Sequence, residues 1–383
     1  MADTTKPTEE AGSPAAAEAT APPPVAAAAE ASSPPAGAAK SPKSPNSPPG
    51  TASPRSGTGI AADNEVIDAE EVDNDDESAL ADSIATYTTS LTSSIFNYPV
   101  EYGRRYHAYQ DGRYTRPNDE LEMDRLLLLH TIVTTAQGGL YQAPIDVDRP
   151  QRILDIGTGN GVWAIEMGDL LPNSIVIGND LSANMPAFVP PNVKFEVDDV
   201  ENEWIYDQPF SYIFCRYMAA SINDWPQLIR RTYDNIEPGG WAEFQDFDLT
   251  YYSEDGSLGP ENPLLVWITR ACNAAEAIGR DTRPGSKLKG WFEETGFTNI
   301  VHRRYKLPIG TWPRDPVLKQ IGLYNYMQIN QGLEGLSMRL FTNVLKWTSE
   351  EVVVMLANVR KQLHDPTIHA ILDYHVVYGQ KPE

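Results

Sequence analysis

From residue 118 onward the chain alternates short apolar runs with longer segments whose apolar residues recur at helical spacing; the first 60 residues show neither pattern. Asn118 suits a helix N-cap, Asp119, Glu120 and Glu122 favour the first turn, and Leu121, residues 126–129, Ile132 and Val133 supply an apolar side that Gly138-Gly139 ends. Residues 152–156, 175–178, 193–197, 210–214 and 241–247 read as strands, with a helix over 225–236 stopped by Pro238-Gly239-Gly240. Residues 299–305 and 374–378 read as two more strands. This alternation predicts an α/β fold built on a largely parallel sheet. The stretch 307–369 is too long for a hairpin loop and must carry helices of its own, one over about 316–331 and one opened by a Thr348/Glu351 capping box and continued by Val352, Val353, Leu356, Val359 and Leu363. No internal repeat is visible.

Composition sets the N-terminal part aside. Residues 1–60 are mostly Ala, Pro, Ser, Gly and Thr, with too few large apolar side chains to offset the entropy of ordering a backbone. Residues 63–82 add ten carboxylates and no Lys or Arg. The expected organisation is a disordered tail over 1–85, whose second part is an acidic linker or interaction segment, followed by one domain over 86–383. That domain opens with an aromatic and basic arm over 97–117, centred on Tyr102-Gly103-Arg104-Arg105-Tyr106-His107. Three Ser-Pro steps at Ser41, Ser44 and Ser47 are open to a proline-directed kinase or are plain low complexity. The net charge is −23, and removing the tail leaves the rest still acidic, which argues against direct nucleic-acid binding through phosphate neutralisation. Two cysteines are too few for a disulfide framework and fit a reducing compartment. With no apolar core for a secretory signal and no run approaching a membrane span, a soluble cytoplasmic or nuclear protein without membrane contact is expected.

The densest chemical signal is Leu154-Asp155-Ile156-Gly157-Thr158-Gly159-Asn160-Gly161, a carboxylate two places before three glycines at alternating positions. Glycine is required where backbone turns with positive φ or touches a ligand. A glycine loop between strand and helix serves two ligand classes. A dinucleotide site wants its third glycine one place later, where Val162 stands, and Asp155 would set negative charge beside the pyrophosphate. A ligand with an ammonium and no phosphate welcomes that carboxylate. S-adenosylmethionine is such a ligand. Asp180, after the second strand, can accept from both ribose hydroxyls, which fits NAD equally, or can cap a helix beginning near Asn184. After the third strand, Val197-Asp198-Asp199-Val200 offers a carboxylate for an adenine amine and a backbone N–H for the ring; Asp199 is the expected base reader and Asp198 the more solvated acid. All three positions fall at C-terminal ends of strands, where open α/β sheets bind ligands. Trp163 either stacks on the ligand or packs beneath the loop. No metal is expected.

With these residues in place, residues 97–383 resemble the fungal LaeA-like group of class I S-adenosylmethionine-dependent methyltransferases. The resemblance is carried by Gly103-Arg104-Arg105-Tyr106-His107-Ala108-Tyr109, Leu154-Asp155-Ile156-Gly157-Thr158-Gly159, Asn179-Asp180-Leu181-Ser182 and Val189-Pro190-Pro191-Asn192-Val193. It continues through Phe195-Glu196-Val197-Asp198-Asp199, Asp224-Trp225, Pro238-Gly239-Gly240-Trp241, Phe244-Gln245-Asp246-Phe247-Asp248 and Leu307-Pro308-Ile309-Gly310-Thr311-Trp312-Pro313. The glycine loop is common to many methyltransferases; the arm, the QDFD strand and the LPIGTWP run are more specific. The resemblance implies a Rossmann-like, seven-stranded class I methyltransferase sheet with an antiparallel last strand and the helical insertion just before it. It implies that Asp155, Gly157, Gly159 and Gly161 hold the methionyl part, Asp180 the ribose, and Asp199 with Val200 the adenine. Tyr102, Leu181 and Asp198 join the expected cofactor contacts, and Cys215-Arg216 offers backbone to the amino-acid end. Ser211 departs from the group, which often has Asp there, at a peripheral position. The resemblance also implies a role in regulating fungal secondary metabolism and development, including a nuclear setting, although no basic import cluster stands in the tail.

Alignment and water exclusion alone can lower a transfer barrier by roughly 7 to 11 kcal/mol, so such an enzyme needs no conspicuous acid or base. A hydroxyl or ammonium acceptor still needs its proton removed. The candidates are His107, Asp246 and Asp248, the last two alternating with Phe247 and so expected on one side of their strand. Arg216 either orients an anionic acceptor or makes a structural ion pair, and the arm with Tyr324, Tyr326 and Met327 forms either a lid or part of the core. The acceptor class is a small molecule or a protein. The alternative function is a cofactor-binding regulatory or scaffold protein that engages protein partners through its tail or insertion and transfers little; an NAD-dependent dehydrogenase is the remaining choice.

Overall fold

Seven strands form one sheet, and the most apolar of them lie buried at its centre while the two at its edges are partly exposed. They are β3 (Arg152–Ile156), β4 (Ile175–Asp180), β5 (Val193–Val197), β6 (Phe210–Arg216), β7 (Ile236–Tyr252), β8 (Thr298–Pro308) and β9 (Ile371–Gln380), in the spatial order β5-β4-β3-β6-β7-β9-β8. β3 to β7 run parallel, and β9 is antiparallel to both β7 and β8. A two-stranded hairpin, β1 (Val100–Glu101) and β2 (Arg104–Arg105), stands apart from that sheet. The structure is a computed structural model, and it describes residues 59–60, 67, 98–106, 115–186 and 188–383, all within the compact unit Ser53–Glu383.

On one face, α2 (Val162–Leu170) places Trp163 flat on Phe214, with ring centroids 3.9 Å apart, and Met167 and Val176 complete that layer. On the opposite face, α3 (Trp225–Asn235) and α5 (Leu288–Thr295) bury Trp225, Leu228, Ile229, Leu288 and Phe292 against Ile213, Phe244 and Val377. A third cluster joins α1 (Glu120–Gln137), α4 (Pro263–Ala277), α6 (Pro316–Arg339) and α7 (Ser349–Leu363) to Phe247, Tyr305, Tyr374 and Val376 of β7, β8 and β9. The insertion between β8 and β9 thus holds two helices, with a π-helical turn over Leu340–Val344 between them. Thr348 and Glu351 make a reciprocal capping box that starts α7, a device worth about 1 kcal/mol.

Several local expectations change. The N-cap of α1 is Asp119, whose side chain accepts from Glu122 N, while Asn118 turns its amide oxygen to Arg105 and its nitrogen to Ser182. Pro238-Gly239-Gly240 does not separate helix from strand. It lies inside β7 as an irregularity, where pairing with β6 jumps from Ile236 to Trp241. α4 and α5 arise where no helix is expected, although Asn262-Pro263, a side-chain cap followed by a proline in the first turn, announces α4. α6 runs on to Arg339, past the expected end near 331. Residues of the tail fall outside the described ones apart from Gly59, Ile60 and Ile67; Ile60, a lone branched apolar residue, packs on the helical cluster and donates its N–H to Ala136 O at 2.9 Å.

Candidate functional site

At the C-terminal ends of β3 and β4 the glycine loop is strapped to the neighbouring strand. Thr158 N donates to Asn179 O at 2.8 Å, Gly159 N to Asp180 Oδ2 at 2.9 Å, and Gly157 N to Asn179 Oδ1 at 3.4 Å. Gly161 is the N-cap of α2 with φ +75°, and a Cβ there would lie 2.5 Å from the Phe195 ring. Gly157 has φ +66°, and a Cβ would overlap the Met218 thioether. No other residue fits either place without strain.

Asp155 is buried beneath this loop, and Thr158 Oγ1 donates to its Oδ2 at 2.5 Å. Burial raises its carboxyl to about 7, against the opposing pull of the Thr158 hydroxyl and the Arg216 charge. Asp180 also accepts from Ser182 N at 2.9 Å, and burial raises its carboxyl despite its backbone donors. Its carbonyl takes Asp198 N at 3.0 Å, which draws the end of β5 to the same rim. Asp198 Oδ1 then accepts from Asp199 N, and Asp199 Oδ1 from Glu201 N. Leu181 follows Asp180 on the rim, and Val200 is buried with Ile177. The structure therefore brings Asp155, the three glycines, Asp180 and the Asp198-Asp199 pair to one crevice edge.

Cys215 and Arg216 end β6 beside that edge, Cys215 pairing with Ile156 in register. The Cys215 thiol is buried, which pushes its pKa well up and leaves it inert. Arg216 Nη2 lies 2.9 Å from His130 Nδ1, and His130 Nε2 lies 3.1 Å from Glu166 Oε2. Sequence reasoning missed His130 and Glu166; the signal was a single histidine closing the Leu126–Leu129 run of α1.

A cavity of about 100 Å³ adjoins the crevice, walled by Tyr217, Phe247, Tyr251 and Trp267 with Arg116, Arg125, Asp246 and Gln328 at its polar side. Met218, which fills the space beside Gly157, stands between Tyr217 and Ala219 of the cavity wall. Asp246 Oδ2 accepts from Met218 N at 2.7 Å and Ala219 N at 2.9 Å, and burial lifts its carboxyl to about 7. Asp248 does not join it: its carboxylate lies 3.5 Å from His375 Nε2 and accepts from Ser286 N, outside the cavity. Alternation along the strand places both acids on one side, but their partners differ: Asp246 turns to the loop after β6, and Asp248 turns to His375 of β9 and to Ser286. Of the insertion, Gln328, Ile329, Leu336 and Leu340 line the cavity, whereas Tyr324 and Tyr326 pack on the helical cluster, Tyr326 against His364.

The arm is tied down by charge. Arg104 makes two hydrogen bonds to Asp119, at 2.5 and 2.7 Å, and Arg339 pairs with Glu101 while its guanidinium stacks 3.7 Å over the buried Tyr106 ring. Tyr102 sits at the hairpin tip with φ +52° and 47% exposure, and His107 lies outside the described residues. Among the described residues no cluster of three or more His, Cys, Asp or Glu could hold a metal, and no helix is long and apolar enough to cross a membrane.

A methyltransferase-domain family model matches residues 133–302. Methyltransferase pytC of Aspergillus terreus is 45% identical over 314 residues, covering 82% of this chain and 96% of that protein. Secondary metabolism regulator LAE1 of Cochliobolus heterostrophus is 33% identical over 291 residues, 74% of this chain and 95% of that protein. A solved structure of Haemonchus contortus phosphoethanolamine N-methyltransferase 2 in complex with S-adenosyl-L-methionine aligns with a TM-score of 0.39 and 20% identity over 68% of this chain and 52% of that one. Relatives this similar, spanned almost end to end, show that the chain belongs to the fungal LaeA-like family of methyltransferases.

Proposed function

We propose that this protein uses S-adenosylmethionine to methylate an acceptor that enters the Tyr217/Asp246/Trp267 cavity, in the service of fungal secondary metabolism. The observation that carries the reading is the joining of two sites at one sheet edge: a glycine-lined crevice with Asp155, Asp180 and Asp199, and an aromatic cavity separated from it by Met218. The crevice fits the cofactor on its own terms. Its loop admits no side chain at Gly157 or Gly161, its acids lie at three successive strand ends, and the buried Arg216 carries a nitrogen without a partner among the described residues.

When bound, the cofactor supplies a methyl group on a sulfonium that leaves as a neutral thioether. Asp155 holds the ammonium end by charge and Asp180 accepts from the ribose hydroxyls. Asp199 and the Val200 backbone take the adenine edge. The aromatic walls keep water from the acceptor and orient it, which accounts for much of the rate in a reaction of this kind. Asp246 holds the Tyr217–Ala219 turn by accepting the N–H groups of Met218 and Ala219, and with its carboxyl lifted to about 7 it is placed to take a proton from an acceptor near neutral pH.

The acceptor is a small molecule or a protein side chain, and one experiment addresses both. Purified protein is incubated with methyl-labelled cofactor and fungal extract, and label is followed into small-molecule and protein fractions. Reproducible label on a defined acceptor, lost in Asp155→Ala, is the expected outcome. Tight cofactor binding with no labelled acceptor would overturn the catalytic reading in favour of a cofactor-binding regulator.

A further inference from the structure

Arg216 presents a charge that the described protein does not complete. The residue is only 8% exposed, and its Nη1 has no hydrogen-bond partner among the described residues. A guanidinium carries five donors and does not lose its proton, so burying one with an open nitrogen is unfavourable until an anion meets it.

Three contacts aim the group. Its carbon lies 4.9 Å from the Tyr217 ring centroid and 5.6 Å from that of Phe214, which restricts its plane. Its Nη2 is held by His130 Nδ1 at 2.9 Å. A guanidinium only donates, so His130 accepts at Nδ1 and its Nε2 donates to Glu166 Oε2; burial lowers the His130 pKa and keeps the ring neutral for this purpose. Glu166 and His130 are therefore positioning residues for Arg216.

Register supplies the partner. On parallel strands Asp155 pairs with Phe214, and Arg216 is two residues further along β6, so Asp155 and Arg216 project from the same face next to the glycine loop. A fixed anion and a fixed cation side by side match the ammonium and carboxylate of an α-amino acid. Resting on the cofactor reading of the crevice, we infer that Arg216 Nη1 binds the α-carboxylate of the cofactor's methionyl end while Asp155 binds its ammonium. The arginine side chain, and not only the backbone at this position, then reads the amino-acid end and separates the intact cofactor from adenosyl thioethers that lack a carboxylate.

The test is a cycle of two ligands against two proteins, read by titration calorimetry on the full chain. The ligands are S-adenosylhomocysteine and S-adenosyl-3-thiopropylamine, which keeps the ammonium and lacks the carboxylate. Wild type should prefer the first by roughly 10- to 100-fold, the range of a charged hydrogen bond, and Arg216→Met should lose that preference while binding the second within about threefold of wild type. His130→Asn, which loosens the guanidinium without removing it, should lose part of the preference and serves if Arg216→Met does not fold. Equal affinity of wild type for both ligands, or equal weakening of both by the variants, would overturn the assignment. Failure of wild type to bind either ligand would instead overturn the cofactor reading of the crevice, and this assignment with it.

Discussion

The crevice over β3 and β4 and the cavity beside β7 are neighbours built on opposite principles. In the crevice, groups of both charges stand at fixed strand ends on a backbone that only glycine permits, with Asp155 buried, Asp180 half-buried and Arg216 left with an open nitrogen. In the cavity, the charged groups already have partners: Arg125 is bound to Glu122 and Gln328, Arg116 to Ala219 O, and Asp246 to three backbone N–H groups. What faces the space there is mostly ring and methyl. A site of the first kind is committed to one ligand, because any other leaves buried charge uncompensated. One of the second kind takes whatever fills its shape, so on the proposed reading the cavity is the less selective of the two.

Three substitutions and one control test that division, in descending order of effect. Gly161→Val should do most damage, combining left-handed strain of about 1–2 kcal/mol with overpacking of about 1–3 kcal/mol against Phe195. The expected outcome is a melting temperature lower by roughly 5–15 °C and no measurable S-adenosylhomocysteine binding; a protein that binds normally would show that the loop does not cradle the ligand.

Asp155→Asn should weaken that ligand about tenfold or more at pH 8 and remove its pH dependence. The native carboxyl ionises near 7, above the value of about 3.9 for an unfolded chain, so between those values the native state retains a proton and stability falls as pH rises. Binding an ammonium runs the other way. It needs the carboxylate, so wild-type affinity should weaken toward tenfold per unit as pH drops below 7, the slope calorimetry would record. A flat wild-type profile would remove Asp155 from the ligand's ammonium.

Ala275→Phe projects a ring into the cavity from α4, and should lower methyl transfer about tenfold while S-adenosylhomocysteine affinity stays within about threefold. Asp248→Asn, outside the cavity, is the control and should change transfer less than about twofold. Equal loss of cofactor affinity and transfer in Ala275→Phe would erase the distinction between the two regions.

The crevice was legible in the sequence and the cavity was not, for a physical reason. A turn of positive φ needs glycine, and a strand-end acid follows directly on an apolar run, so Gly157, Gly161, Asp155 and Asp180 announce themselves within a few residues of chain. The same locality made the sheet readable: β3 and β5 match their expected bounds to the residue, and the capping box at Thr348 opens α7. Residues whose role lies in distant contacts left no such mark. His130 reads as one more position on α1, Trp267 stands on a helix that was not anticipated, and Asp246 and Asp248 differ only in which distant groups meet them, Met218 and Ala219 for the first and His375 and Ser286 for the second. Sequence by itself thus determined the strands, their order of appearance and the local chemistry of the glycine loop, since backbone sterics and burial act over a few residues. Only the tertiary structure decided which of two alternating acids lines a cavity, which histidine braces Arg216, and which aromatic rings meet, because those depend on the packing of separate elements, 28 residues apart for Asp246 and Met218 and 86 for Arg216 and His130.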